Sequence, residues 1–289
     1  MNSTSKHIIA FGGGVDSSAL LAINFDRDAA AQVLGISREE LDEKFPAVDA
    51  VMFSDTGWER ERTYANVDRF EAAYKVKGLP FFRVRNKKET ILEWTLRLGA
   101  VPLMPGSSHK CSLKFKTEVM HKEAEAMFPG SKITWSIGIE ANEDRRANKS
   151  FQDRSNGTHK SVYPLRHLGL DRAGCERLIE QLGWPKVVKS ACVGCPFAQE
   201  HEIADIMMNE PAAWATVKQV EAKFRETSPR KYQAFVDGGC KTDSAGRALP
   251  GTWRVDSWNT NNARLFAKKI NGRQLSVEEW EARLAPLAF

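Results

Sequence analysis

The chain has 289 residues, of which 42% are apolar and 27% charged, with a formal net charge of +5. This is the composition of a soluble globular protein, built as one large domain or as one domain with a long extension. It excludes a membrane-spanning chain, since no apolar run approaches the ~20 residues a span requires; the mild positive charge suits anionic ligands without indicating nucleic acid.

In chain order, residues 6–11 read as a buried strand. A helix follows over 16–24, with Val15, Ala19, Leu20 and Ile23 on one face. Residues 25–47 are polar and read as a surface excursion with one short helix. A second strand over 48–53 ends in Ser54-Asp55-Thr56-Gly57. A charged helix then repeats Tyr64, Val67, Phe70 and Tyr74 at helical spacing. Residues 81–85 form a third strand and 88–98 a helix with Ile91, Trp94 and Leu98 inward. Residues 113–128 are helical, and 133–139 form a fourth strand. Strands alternating with helices predict an α/β fold with a doubly wound, mainly parallel sheet, whose ligands sit at the carboxyl ends of the strands. The glycine-rich loop, Asp55-Thr56-Gly57 and Glu140-Ala141-Asn142 all fall at such ends. Beyond about 150 the strand signal fades into helices over 171–182, 199–208 and 211–226. Asn271-Gly272 marks a turn, and Ser276 with Glu279 forms a capping box. The expected organisation is an α/β nucleotide-binding domain over 1–150 and a mostly helical extension over 151–289. Trp253, Trp258 and Trp280 are expected to pack that extension onto the sheet.

The segment Gly12-Gly13-Gly14-Val15-Asp16-Ser17-Ser18 joins the first strand to its helix and reads as a phosphate cradle. It lacks the Lys that the P-loop of NTPases places before Ser17. It meets the dinucleotide fingerprint only partly, because the second strand ends too late, at Asp55, to supply the acidic partner. A glycine turn with no ligand is the plain alternative.

Five cysteines occur, and an odd number in a chain without a signal-peptide core at Met1–Lys6 points to metal or redox use in the cytoplasm. Cys192-Val193-Gly194-Cys195 places two thiols on a tight turn. Cys111, in His109-Lys110-Cys111, is the third candidate ligand. Three cysteines suit a 4Fe-4S cluster with one open iron, and adding His109 suits Zn2+. Cys175, in register with Leu178, Ile179 and Leu182, reads as a core residue, and Cys240 as a loop thiol. Lys114, Arg145 and Arg146 lie near these motifs, where cations can stabilise an anionic transition state.

Together these motifs resemble the phosphoadenylyl-sulfate (PAPS) reductase-like branch of the PP-loop ATP pyrophosphatase superfamily. The resemblance runs through Gly12–Ser18, Asp55-Thr56-Gly57-Trp58-Glu59 with Thr63-Tyr64, Lys110-Cys111 with Lys114, and Gly138-Ile139-Glu140 leading to Arg145-Arg146. It closes with Cys192-Val193-Gly194-Cys195-Pro196-Phe197. It implies a five-stranded adenine-nucleotide α-hydrolase-like sheet that binds ATP with Mg2+. Gly12–Ser18 would hold phosphates, with Asp16 orienting the metal, and Asp55, Thr56 and Gly57 would border the adenosine. Lys114, Arg145 and Arg146 would contact the anionic group, and Cys111, Cys192 and Cys195 would hold an iron–sulfur cluster.

The sequence departs from this family at three places. Gly12 replaces the first Ser of Ser-Gly-Gly-x-Asp-Ser, Lys110 replaces one Cys of a Cys-Cys pair, and no Glu-Cys-Gly-His-like segment occurs. The expected activity is therefore formation of AMP and pyrophosphate, with adenylation of an acceptor for sulfur transfer. The acceptor is unknown, with a nucleic-acid component among those open, and a sulfur or electron donor protein is the expected partner. A homodimer is an open arrangement, and no membrane partner is expected. The alternatives are a PAPS or adenylyl-sulfate reductase and a non-catalytic ATP-binding subunit with structural zinc.

Overall fold

The computed structural model describes residues 4–99, 110–147, 157–237 and 264–287. The chain divides into two compact units, one of residues 1–86 and 113–191 and the other of 87–112 and 192–289. The first unit thus draws on residues either side of 150.

In the first unit, β1 (Ser5–Phe11) leads into α1 (Val15–Phe25), α2 (Arg27–Leu34) and α3 (Arg38–Lys44), then β2 (Ala50–Asp55), α4 (Glu61–Val76) and β3 (Phe81–Arg85). In the second unit, α5 (Ile91–Leu98) and α6 (Lys110–Ser112) follow. The first unit resumes with a π-helical stretch (Leu113–Thr117), α7 (Glu118–Met127), β4 (Lys132–Ile137), α8 (Asp144–Ala147), β5 (His159–Val162), α9 (Pro164–His167) and α10 (Arg172–Gln181).

The five strands form one sheet in the order β3-β2-β1-β4-β5, and every pairing is parallel. Side chains alternate across it as strand geometry requires. Ile9, Phe11, Val51 and Phe53 pack with α1, α4 and α10 on one face. Ile8, Ala10, Met52 and Trp135 pack with Val119, Met120 and Ala124 of α7 on the other. The sheet is the expected doubly wound α/β architecture. Its strand order reverses between β1 and β4, and such a switch point opens a crevice at the strand ends.

The polar stretch after α1 holds two helices rather than one. Asp26 and Ser37 each cap a helix N-terminus with a side-chain oxygen, and Gly35 ends the first of them in the left-handed conformation. Ala30, Ala31, Leu41 and Phe45 carry the buried contacts of these charged helices. The fifth strand lies beyond residue 150, where no strand signal was evident. It is short and polar and occupies the sheet edge, with His159 and Ser161 turned inward.

In the second unit, α5 begins at Ile91 behind a Thr90–Glu93 capping box, three residues later than the periodicity suggested. Ile91 and Trp94 are buried, whereas Leu98 is only half-buried. Then come α11 (Glu200–Asn209), α12 (Pro211–Asp237), a hairpin of β6 (Lys269–Ile270) and β7 (Arg273–Gln274), and α13 (Val277–Leu284). The hairpin turns through Asn271 and Gly272, both at positive φ, and Ser276 with Glu279 caps α13 reciprocally. Trp280 is fully buried in this unit. Trp253 and Trp258 lie outside the described residues.

Candidate functional site

The Gly12–Ser18 loop sits at the carboxyl end of the central strand β1, where the strand order reverses. Gly14 is the N-cap of α1 and offers no side-chain cap, so the helix presents its first-turn N–H groups uncapped from that side. The loop carbonyls, by contrast, are engaged. Ser17 Oγ donates to the Gly14 carbonyl at 3.2 Å and accepts the Gly12 N–H at 3.1 Å. Asn66 Nδ2 donates to the Gly13 carbonyl and to Ser18 Oγ, each at 3.0 Å. Carbonyls tied inward and uncapped N–H groups at a positive helix end make an anion cradle.

Gly13 and Gly138 both answer a steric need here. Gly13 has φ +73°, and a Cβ there would stand 2.7 Å from Thr63 Cγ2. At Gly138, just past β4, a Cβ would stand 2.5 Å from the Ser17 backbone nitrogen. Only a residue without a side chain lets the end of β4 lie against the loop. Gly12 is different: a Cβ there would meet Ser17 Oγ at an ordinary 3.7 Å. Glycine in place of the family's serine at this position answers no steric need.

Asp16, in the first turn of α1, is 6% exposed. One carboxylate oxygen, Oδ2, pairs with Arg172 of α10 at 2.8 Å. The other, Oδ1, is buried with no hydrogen-bond partner among the described residues. Burial pushes the Asp16 carboxyl up to about 6, opposed by Arg172, with Glu143 and Glu140 adding to the rise and Arg146 to the opposition. A buried, half-satisfied carboxylate beside an anion cradle is an unusual cost for a merely structural residue. Thr63 Oγ1, against the loop, is a second buried polar atom without a partner. Cys175, one turn along α10 from Arg172, is fully buried, and burial raises its thiol to about 12, so it is the core residue its spacing indicated.

At the end of β2, Asp55 Oδ1 accepts the Tyr64 hydroxyl at 2.7 Å and the Gly57 N–H at 2.8 Å. Burial and this bond push the Tyr64 phenol well above its ordinary value. Thr56 Oγ1 donates to Glu59 at 3.1 Å, and the buried Glu59 pairs with Lys116 at 2.9 Å. This compact turn is held by its own polar network and stands one strand away from the glycine loop.

The other sequence-designated residues fall as follows. Lys114 lies in the π-helical stretch, its ammonium 5.1 Å from the Phe115 ring centroid. Arg146, on α8, donates to both Glu143 oxygens at 2.8 Å and also acts on the Asp16 charge. Arg145 is on the same short helix, with its side chain outside the described residues.

Cys111, Cys192 and Cys195 are half-buried cysteines outside any disulfide, all in the second unit. The Cys195 N–H donates to the Cys192 carbonyl at 3.2 Å, which closes the expected turn. Among the described residues, however, no group of three or more His, Cys, Asp or Glu side chains is placed to hold a metal ion. His109 and Cys240 lie outside the described residues.

Sequence reasoning missed Asn66, Arg172 and the steric role of Gly138. Asn66 could have been found, because it shares the buried face of α4 with Thr63, Val67, Phe70 and Tyr74. An amide on an apolar helix face needs a partner. Arg172 carried no such local signal.

A glycine loop with an uncapped helix N-terminus at the switch point of a parallel sheet defines a nucleotide-binding α/β protein. Residues 6–172, more than half of the chain, match the phosphoadenosine phosphosulfate reductase domain, and the chain belongs to that family. Membership supports a PP-loop and nucleotide binding, in an enzyme of the adenine-nucleotide α-hydrolase-like superfamily. No curated protein matches the chain. Among the described residues, no helix is long and apolar enough to cross a membrane.

Proposed function

We propose that this chain is an ATP pyrophosphatase that adenylates an acceptor and thereby prepares it for sulfur transfer. The supporting observation is the Gly12–Ser18 cradle together with the half-satisfied, buried Asp16. An acceptor oxygen attacks the α-phosphorus of ATP, the α–β P–O bond breaks, and pyrophosphate leaves with its electron pair. The N–H groups of the loop receive the departing phosphates. An orphaned carboxylate oxygen is a suitable ligand for Mg2+, which when bound screens phosphate charge; Asp16 Oδ1 would hold it. Lys114, Arg145 and Arg146 offset the remaining negative charge, and the Asp55-Thr56-Gly57 turn borders the adenosine. A sulfide donor then attacks the adenylated carbon of the acceptor; the C–S bond forms as the C–O bond breaks, and AMP leaves with the electron pair.

The test incubates the protein with α-labelled ATP, Mg2+ and a panel of acceptors: nucleic acids, free nucleobases and small metabolites. The expected result is AMP and pyrophosphate in equal amounts with one acceptor class. ATP left intact throughout, alongside thioredoxin-dependent sulfite release from a sulfonucleotide, overturns this reading in favour of the reductase, which the family's own description favours. Tight ATP binding without turnover of either substrate establishes the non-catalytic subunit instead. Metal and sulfide analysis after anaerobic purification decides between iron–sulfur and zinc at Cys111, Cys192 and Cys195.

A further inference from the structure

Asp16 and Arg172 meet between the first turn of α1 and the first residue of α10. Asp16 is buried, whereas the Arg172 side chain is 44% exposed and reaches inward to its partner. The contact is one-sided in a specific way. Arg172 Nη2 takes Oδ2 at 2.8 Å, while Oδ1 remains buried with no partner. A carboxylate pinned by one oxygen cannot rotate freely about χ2, so the orientation of the other oxygen is set before any ligand arrives. Other charges act on Asp16 from the turn after β4, namely Glu140 and Glu143 against its ionised form and Arg146 in its favour, but none is bonded to it in the structure. The Arg146 guanidinium is committed to Glu143.

We infer that Arg172 is a positioning residue, which holds the Asp16 carboxylate by Oδ2 so that Oδ1 is presented to the divalent cation of a bound metal–nucleotide complex. The inference rests on the nucleotide reading above and deepens it. Preorganising a ligand removes the ordering cost at the moment of binding. Arg172 touches neither phosphate nor reacting atoms in this role; it acts through Asp16.

The experiment is a double-mutant cycle on the full chain, read by calorimetric ATP affinity with Mg2+ and again with EDTA. Wild type should bind ATP more tightly with Mg2+. Arg172→Met should lose about tenfold of that Mg2+-dependent enhancement and leave the EDTA affinity unchanged. Asp16→Asn should lose the enhancement, and the double variant should lose no more than Asp16→Asn alone. Arg172→Lys should recover part of it. Thermal melts supply a check independent of ligand: Arg172→Met should lower the Tm, and adding Asp16→Asn should restore it, because the buried charge is then gone. Full Mg2+ enhancement in a folded Arg172→Met, or an increase showing that arginine competes with the cation, overturns the positioning role. Wild type that binds no ATP, or binds it without regard to Mg2+, overturns the nucleotide–metal reading itself.

Discussion

Each unit of this chain contains a carboxylate buried on a helix and paired with an arginine four or more residues away, and the two are treated in opposite ways. In the second unit, Glu221 of α12 is fully buried, and both of its oxygens are used. Oε2 accepts the Leu265 N–H at 2.9 Å; Oε1 accepts the Val277 N–H at 2.9 Å and the Arg225 guanidinium at 3.0 Å. In the first unit, Asp16 has one oxygen on Arg172 and one on nothing. Burial raises both carboxyls above the ordinary range. Glu221 offsets that cost by tying residues 264–277 to α12, and so it is a structural clasp. Asp16 leaves part of its cost standing, as sites that await a ligand do. Use of both carboxylate oxygens, more than burial or charge, separates the two roles.

The comparison breaks most sharply at activity. In the proposed reaction, Asp16→Asn should cut AMP formation by about 10²–10³-fold, the loss typical of one electrostatic contact to a transition state. Glu221→Gln should leave the rate per folded molecule within about twofold. Steady-state assays corrected for the folded fraction check both, and equal losses would erase the distinction.

Stability should order the pair the other way. Glu221→Ala removes a clasp and strands the buried Leu265 and Val277 N–H groups, while Arg225 keeps Glu278, which should cost about 2–5 kcal/mol in urea denaturation. Asp16→Asn should stabilise the ligand-free protein at pH 7. The sign follows from its elevated carboxyl. The folded state holds that proton up to about pH 6, whereas the unfolded chain releases it near 3.8. Between those values the folded state binds more protons, so stability falls as pH rises through the window. By pH 7 the penalty is fully present, about 3 kcal/mol for a rise of about two units. Wild type should therefore lose stability relative to Asp16→Asn on going from pH 4 to pH 7, a difference readable from Tm against pH. A flat difference would mean that Asp16 is not penalised in the fold.

Two glycines sharpen the same picture at smaller scale. Gly138→Ala should cost about 1–3 kcal/mol and weaken ATP binding, because its methyl meets the Ser17 backbone, which cannot step aside without moving the loop. Gly12→Ser should stay within about 0.5 kcal/mol of wild type, since its Cβ meets only Ser17 Oγ at ordinary contact distance. Differential scanning calorimetry separates these two outcomes readily.

Much of this was legible in the sequence. The apolar runs of β1 and β2 and the period of Tyr64, Val67, Phe70 and Tyr74 gave an alternation of strands and helices, and the glycine run marked the loop. Asn271-Gly272 and Ser276–Glu279 behaved as their local chemistry dictates. These signals survive because each is carried within a few residues, by sterics, periodicity or a side chain bonding its own backbone. The polar edge strand β5 and the second of the two helices after α1 were not visible, because their burial depends on the sheet and core they join.

By itself, then, the sequence determined a parallel α/β protein with an anion-binding loop at its first strand, through local rules that need no knowledge of the fold. Tertiary structure alone decided which distant groups face that loop. The order β3-β2-β1-β4-β5 brings Gly138 beside Ser17, and the packing of α10 on α1 brings Arg172 to Asp16. No periodicity encodes those meetings, since a pair formed across the core is fixed only when every intervening element has been placed.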